Sequence, residues 1–179
     1  NLLNKYLTIV QAENWEYQAS FTSDNTPWFF NGVRFQIFPN KRLKIEPWVI
    51  NGWQSYGKFN QMPGVGGNIT WTPTSDIKLL TNNYYGTDAA GIPKRKRFHS
   101  DNSVLVRYIN KPNAKRVSRM ACSLTADIGF EKGGGVNGFN NNDSLKGPAQ
   151  YFVSVMFYNR VWFAKNKFAW TIGGGLMSN

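Results

Sequence analysis

Residues 120–131 alternate without a break. Met120, Cys122, Leu124, Ala126, Ile128 and Phe130 fall on one side of an extended chain, and Ala121, Ser123, Thr125, Asp127, Gly129 and Glu131 on the other. A period of two marks a β-strand with unlike faces, here one apolar and one small or polar. Seven further segments, 28–38, 43–53, 65–72, 77–85, 103–109, 149–162 and 168–176, carry the same signal less regularly, and residues 6–11 add a further candidate.

The links between these segments alternate in length. Phe38-Pro39-Asn40-Lys41-Arg42, Pro73-Thr74-Ser75-Asp76 and Ala164-Lys165-Asn166-Lys167 are tight turns by their chemistry, and 111–118 is slightly longer. The links 54–64, 86–102 and 132–148 are long and irregular. In an antiparallel meander successive links lie at opposite ends of the sheet, so all short turns share one rim and all long loops the other. Outer-membrane barrels are built in this way.

Aromatic positions sharpen that picture. Phe38, Trp71, Tyr108, Trp162, Phe163 and Phe168 are expected near the short-turn rim, and Trp28, Phe29, Trp53, Tyr84, Tyr85, Phe130, Tyr151 and Phe152 near the long-loop rim. Two aromatic bands a strand length apart match the two interfaces of a bilayer, where amphipathic rings settle. A soluble barrel or sandwich with aromatic core residues at its strand ends is the plainer alternative.

Composition adds three constraints. Aromatics form 16% of the 179 residues and Gly is plentiful, which favours an all-β chain. Lys and Arg number 21 against 10 Asp and Glu, a net charge of +11 that calls for an anionic partner: nucleic acid, lipid phosphate or acidic solutes. With one cysteine, Cys122, and one histidine, His99, neither an intrachain disulfide nor a Cys/His zinc site can be built. No apolar run reaches the roughly 18 residues of a spanning helix. The first residues do not read as the charged start of a signal peptide, and residues 173–179 follow a strand-like run without a closing aromatic. Because a barrel must be exported, both features lead us to expect a chain truncated at one or both ends.

Thr26-Pro27-Trp28-Phe29-Phe30-Asn31-Gly32-Val33-Arg34-Phe35-Gln36-Ile37-Phe38-Pro39-Asn40, continued by Leu43-Lys44-Ile45-Glu46-Pro47-Trp48-Val49-Ile50-Asn51-Gly52-Trp53-Gln54, resembles the OmpL-like β-barrel porin family of Gram-negative outer membranes. Asn83-Tyr84-Tyr85-Gly86-Thr87-Asp88, Arg97-Phe98-His99-Ser100-Asp101 and Lys146-Gly147-Pro148-Ala149-Gln150-Tyr151-Phe152 fit the same pattern. The resemblance runs from about Asn14 onward and consists of strands and turns, since the family has no catalytic signature. Its members are longer than this chain, which implies further strands at one or both ends.

The expectation is therefore one all-β region over residues 1–179, an antiparallel up-and-down transmembrane β-barrel of which about eight or nine strands are covered. If Val33, Phe35, Ile37, Leu43, Ile45 and Val49 face lipid, alternation turns Arg34, Gln36, Lys44 and Glu46 toward a pore. On later strands Asn68, Thr70, Arg107, Ser123, Thr125, Asp127, Ser154 and Arg160 follow. Cations outnumber carboxylates in that set, so a water-filled pore with mild anion preference is expected, passing small hydrophilic solutes. Mutual pairing of those charges in a plugged barrel is the competing reading.

Lys94, Arg95, Lys96 and Arg97 read as an external basic loop facing the phosphates of lipopolysaccharide, or as a plain solvated loop. Nucleic acid is not an expected partner, because the aromatics gather at strand ends and not in one stacking platform. Outer-membrane lipid and small solutes are the expected partners, with a homo-oligomer or a larger envelope complex as the assemblies open to it.

No enzyme, cofactor or metal is expected. Gly133-Gly134-Gly135 and Gly173-Gly174-Gly175 lack the Lys-Ser or Lys-Thr of a phosphate loop, and read as a flexible loop and a closely packed strand. Asn140-Asn141-Asn142-Asp143 lacks the ligand spacing of a calcium loop. His99, with Ser100 and Asp101 beside it, reads as a loop histidine, since no nucleophile elbow accompanies it. Cys122 reads as a small hydrophobe on the apolar face. The strongest competitor is a soluble all-β ligand- or carbohydrate-binding barrel or sandwich. It predicts burial of Val33, Phe35, Leu124 and Ile128, where the channel predicts their exposure.

Overall fold

The computed structural model describes residues 31–52, 62–87, 93–133 and 150–179. They form one antiparallel sheet. Its strands are β1 (Gly32–Arg34), β2 (Ile37–Asn40), β3 (Leu43–Ile50), β4 (Gly64–Thr74), β5 (Ile77–Gly86), β6 (Lys96–Asn110), β7 (Val117–Lys132), β8 (Gln150–Phe163) and β9 (Phe168–Ser178). From β3 onward each strand pairs with the next in sequence, and β1 and β2 both pair with β3. The two are successive parts of one strand, interrupted at Phe35 and Gln36 without a change of register, and the register shifts only between Ile37 and Asn40. The expected strand over 28–38 is thus present in two pieces, while its first residues and the candidate over 6–11 lie outside the described residues.

Short connections gather at one rim, as the link lengths predict. The β2–β3 turn is fixed by the Asn40 side chain, whose Oδ1 accepts a hydrogen bond from the Arg42 amide at 2.8 Å. At the β4–β5 turn the Asp76 amide donates to Thr74 Oγ1 at 3.2 Å. These are local side-chain substitutes for backbone bonds, the reason Asn, Asp, Ser and Thr favour turns. The β8–β9 turn is longer by two residues and strained: Ala164, Lys165 and Asn166 all have positive φ. Such a run of non-glycine residues is costly and needs an external hold. Buried Ser118 supplies it, with Oγ donating to Asn166 Oδ1 at 2.8 Å and accepting from the Asn166 amide at 3.1 Å.

Exposure is reversed relative to a soluble protein. The alternating apolar residues are open, with Phe35 at 62%, Ile128 at 47% and Leu124 at 43%, while Glu46 and Asp127 on the opposite face are at 0% and 2%. Cross-strand register carries one such apolar row through the whole sheet: Leu43, Trp71, Leu79, Val104, Leu124, Phe157 and then Gly174. Val33 is also exposed, so all four residues that separate the channel from the soluble competitor lie as the channel requires. Cys122 sits on this face opposite Val106 and Asn159, consistent with a small apolar filler.

The apolar face has one polar inset. Thr81 opposes Asn102, and Asn83 opposes Ser100, on neighbouring strands β5 and β6. These side chains satisfy one another along each strand, Asn83 donating to Thr81 at 3.1 Å and Asn102 to Ser100 at 2.9 Å. Internal bonding lowers the cost of placing amides on an apolar wall.

The aromatic bands are only partly as expected. Tyr85, Phe130 and Tyr151 stand exposed at the long-loop end, and Phe38, Trp71, Tyr108, Phe163 and Phe168 at the short-turn end. Tyr84 is instead buried on the polar face, and Phe152 points the same way, lying over Gly129, where a Cβ would strike its ring. Position near a strand end does not fix which face a ring occupies; parity along the strand does. Trp28, Phe29 and Trp53 lie outside the described residues.

Candidate functional site on the polar face

The polar face is organised in rows, because antiparallel partners point to the same side. One row crosses seven strands: Glu46, Asn68, Asn82, Asp101, Asp127, Ser154 and Met177. Four of the positions expected to face a pore, Glu46, Asn68, Asp127 and Ser154, are in it.

Glu46 anchors one end of the row. Its Oε1 accepts from Arg34 Nη1 at 3.2 Å and Trp48 Nε1 at 3.0 Å, and its Oε2 from Gln36 Nε2 at 2.7 Å and Lys44 Nζ at 3.3 Å. Alternation along β3 explains why Lys44, Glu46 and Trp48 share a side, and pairing with β1 brings Arg34 over them. A fully buried carboxylate demands such compensation.

A chain of amides continues from it. Thr70 Oγ1 donates to Asn68 Oδ1 at 2.9 Å, Asn68 Nδ2 to Asn82 Oδ1 at 2.7 Å, and Asn82 Nδ2 to Asp101 Oδ2 at 2.9 Å. Beyond it, Asp127 opposes Asp101 and Ser154 opposes Asp127. One row nearer the short turns, Thr125 and Ser103 share a hydrogen bond at 3.0 Å. Ser123 lies a further row down, between Leu105 and Tyr158.

Charges close both ends of this face. Near the short turns Arg107 Nε donates to Asp76 Oδ1 at 2.6 Å, and its Nη2 to the Ser75 carbonyl at 3.0 Å. The Arg107 hydrogen bond holds the Asp76 carboxyl below its ordinary value of 3.8. Arg160, opposite Ala121, lies over the Trp162 ring at 5.2 Å. Near the long loops Glu131 takes both Arg95 and Arg97, the latter through Nη2 at 2.6 Å, and Arg95 Nη2 reaches Gln150 Oε1 at 3.2 Å. This ties β6, β7 and β8 together at that rim.

All twelve expected positions thus fall on one face, and Arg34, Gln36, Lys44 and Glu46 converge in one cluster. Two expectations change. Lys96 and Arg97 open β6, which begins seven residues earlier than the segment over 103–109. Of the expected basic loop, only Lys94 and Arg95 precede the strand, and Arg95 is buried on Glu131. His99 is a buried strand residue beside Phe152, with ring centroids 5.3 Å apart, and not a loop histidine. Asn82, His99 and Asp101 are site residues that alternation did not supply, and Glu131, which alternation did put on the polar side, was not singled out as one. Gly134, Gly135 and Asn140 to Asp143 lie outside the described residues, while Gly173 to Gly175 do lie in β9, with a Tyr158 ring against Gly173.

Comparison with known proteins agrees with this geometry. The family described as "Putative beta-barrel porin-2, OmpL-like" matches residues 8–160. The chain belongs to this family. No curated protein and no solved structure matches it. The OmpL-like porin assignment accounts for both the up-and-down meander and the inverted faces: a porin wall meets hydrocarbon outside and water inside.

Proposed function

We propose that this chain is part of the wall of an outer-membrane channel that lets small hydrophilic solutes diffuse passively, with mild anion preference. The observation that carries the proposal is the inverted exposure, with Phe35, Leu124 and Ile128 open and Glu46 and Asp127 sheltered. A soluble binding barrel would bury the first set. Membership of a porin family supports a non-enzymatic role and an outer-membrane location.

Anion preference follows from how the charges pair. Glu46 engages two cations, Arg34 and Lys44, and Glu131 engages two, Arg95 and Arg97. Each of these carboxylates thus sits between two cations, and Arg160 places a further cation near the short-turn rim. Lumen charge of one sign raises the local concentration of the opposite ion. At the long-loop rim exposed Lys94 would meet the phosphates of lipopolysaccharide, an anionic partner of the kind the net charge calls for.

Planar-bilayer recording tests the proposal. The expected result is stepwise conductance with a reversal potential of anion-selective sign in a salt gradient. Cation-selective reversal removes the anion preference, and insertion without conductance replaces the open channel by a wall whose paired charges close it.

A further inference from the structure

The middle of the polar row holds two carboxylates whose charge nothing else in the described residues neutralises. Asp101 and Asp127 are direct cross-strand partners, at 6% and 2% exposure. They lie within hydrogen-bond reach of each other, and no other group bonds Asp101 Oδ1 or either oxygen of Asp127. Of the cations on this face, Arg34 and Lys44 bind Glu46, Arg95 and Arg97 bind Glu131 and Arg107 binds Asp76, while Lys78 and Arg160 lie four and six residues along their strands from this row. Like charges set opposite on neighbouring strands repel, and burial sharpens that repulsion.

An independent feature points into the same place. Ser154, the partner of Asp127 on β8, is at 1% exposure, and its Oγ also has no hydrogen-bond partner. A buried hydroxyl beside a bare carboxylate ordinarily donates to it. Here the hydroxyl, Asp101 Oδ1 and both Asp127 oxygens are four buried oxygens on three adjacent strands that no group outside the aspartate pair satisfies. Asn82 meanwhile holds Asp101 from the other side through Oδ2.

We infer that Asp101, Asp127 and Ser154 form a binding site for a hard divalent cation, Ca²⁺ or Mg²⁺, in the sheltered wall of the barrel. Two carboxylates match a double charge, and a donor set made only of oxygen selects these ions over the softer metals that imidazole and thiolate hold. Four protein oxygens leave coordination to be completed by water, which sets a weak site with half-saturation at about 0.1–1 mM. The ion would tie β6, β7 and β8 together at mid-height, as Glu131 and its arginines do at the long-loop rim. The site needs only the sheltered polar face and not conduction.

The test is thermal unfolding of the full chain refolded in detergent, titrated with CaCl₂ and with MgCl₂ at constant ionic strength. A saturable rise in Tm is expected from at least one of the two salts. Asp127→Asn should weaken the half-saturation at least tenfold, and Ser154→Ala severalfold, while Asp76→Asn, at the distant turn, should leave it unchanged. Where Asp127→Asn fails to fold, Ser154→Ala and Asp101→Asn decide. The proposal is overturned if neither salt gives a saturable shift, or if the site variants respond as the parent does. It is equally overturned if acidification alone stabilises the protein and metal adds nothing, since the pair then shares a proton. Conductance is not read in this assay, so a protein that binds the ion but does not conduct refutes the channel alone.

Discussion

Leu124→Arg separates a lipid-facing wall from a water-facing one. Leu124 stands near the middle of the sixteen-residue strand β7, with Val104 and Phe157 as its register partners on either side. A membrane strand needs about 9–11 residues to span, so Leu124 falls near the bilayer midplane if β7 crosses it. Arginine on the lipid face at that depth costs about 2–4 kcal/mol. At about 1.4 kcal/mol per factor of ten, the folded fraction relative to unfolded falls by roughly 30- to 1,000-fold. On a water-exposed surface the same change stays within about 0.5 kcal/mol. Ser123→Arg, one residue away on the polar face, is the paired control and should cost less than about 1 kcal/mol, because an inward charge can hydrate. Urea unfolding of protein inserted in lipid vesicles measures both. Equal costs for the two variants, or free tolerance of Leu124→Arg, would refute the assignment of faces.

Glu46→Gln should destabilise the barrel by about 1.5–3 kcal/mol, the worth of hydrogen bonds to a charged group, read as a lower denaturant midpoint. It should also shift the reversal potential further toward anions, since Arg34 and Lys44 lose their carboxylate. Asp76 is held below its ordinary value by Arg107, so its contribution is present above about pH 4 and lost as pH falls through its lower folded value. Asp76→Asn should therefore flatten the acid limb of a Tm-versus-pH curve; an unchanged limb would show that the Arg107 bond does not persist. A Cβ at Gly173 would strike the Tyr158 ring and the Phe157 carbonyl, whereas one at Gly174 meets nothing. Gly173→Ala should cost about 1–3 kcal/mol and Gly174→Ala should stabilise by about 0.4–1 kcal/mol, a contrast that chemical denaturation resolves. Removing the Ser118 hydroxyl with Ser118→Ala should cost about 1–3 kcal/mol, because Asn166 loses its hold in the strained turn.

What the sequence disclosed follows from parity. Strand β7 is legible because every second residue is apolar, and once its outer set is known, Ser123, Thr125 and Asp127 are placed by subtraction. The same logic placed Arg34, Gln36, Lys44 and Glu46 on one side, though not their convergence on one carboxylate, which depends on β1 lying over β3. The first half of β6 was invisible for the complementary reason. From Lys96 to Asn102 only Phe98 is apolar, because Ser100 and Asn102 occupy the outer face and form the polar inset with Thr81 and Asn83. With no apolar set there was nothing to subtract from, and His99 and Asp101 read as loop.

The missing information sits on the neighbouring strand. Once the turn over 111–116 joins β6 to β7, counting back from it sets Asp101 opposite Asp127, although the bulge between Arg107 and Ile109 alters the count by one residue. In a soluble protein a buried core would have selected apolar residues on both strands and exposed the pairing directly. In an inverted barrel the functional face is read only through its opposite. A strand whose outer face turns polar therefore conceals its inner one, and here the concealed residue is half of the carboxylate pair.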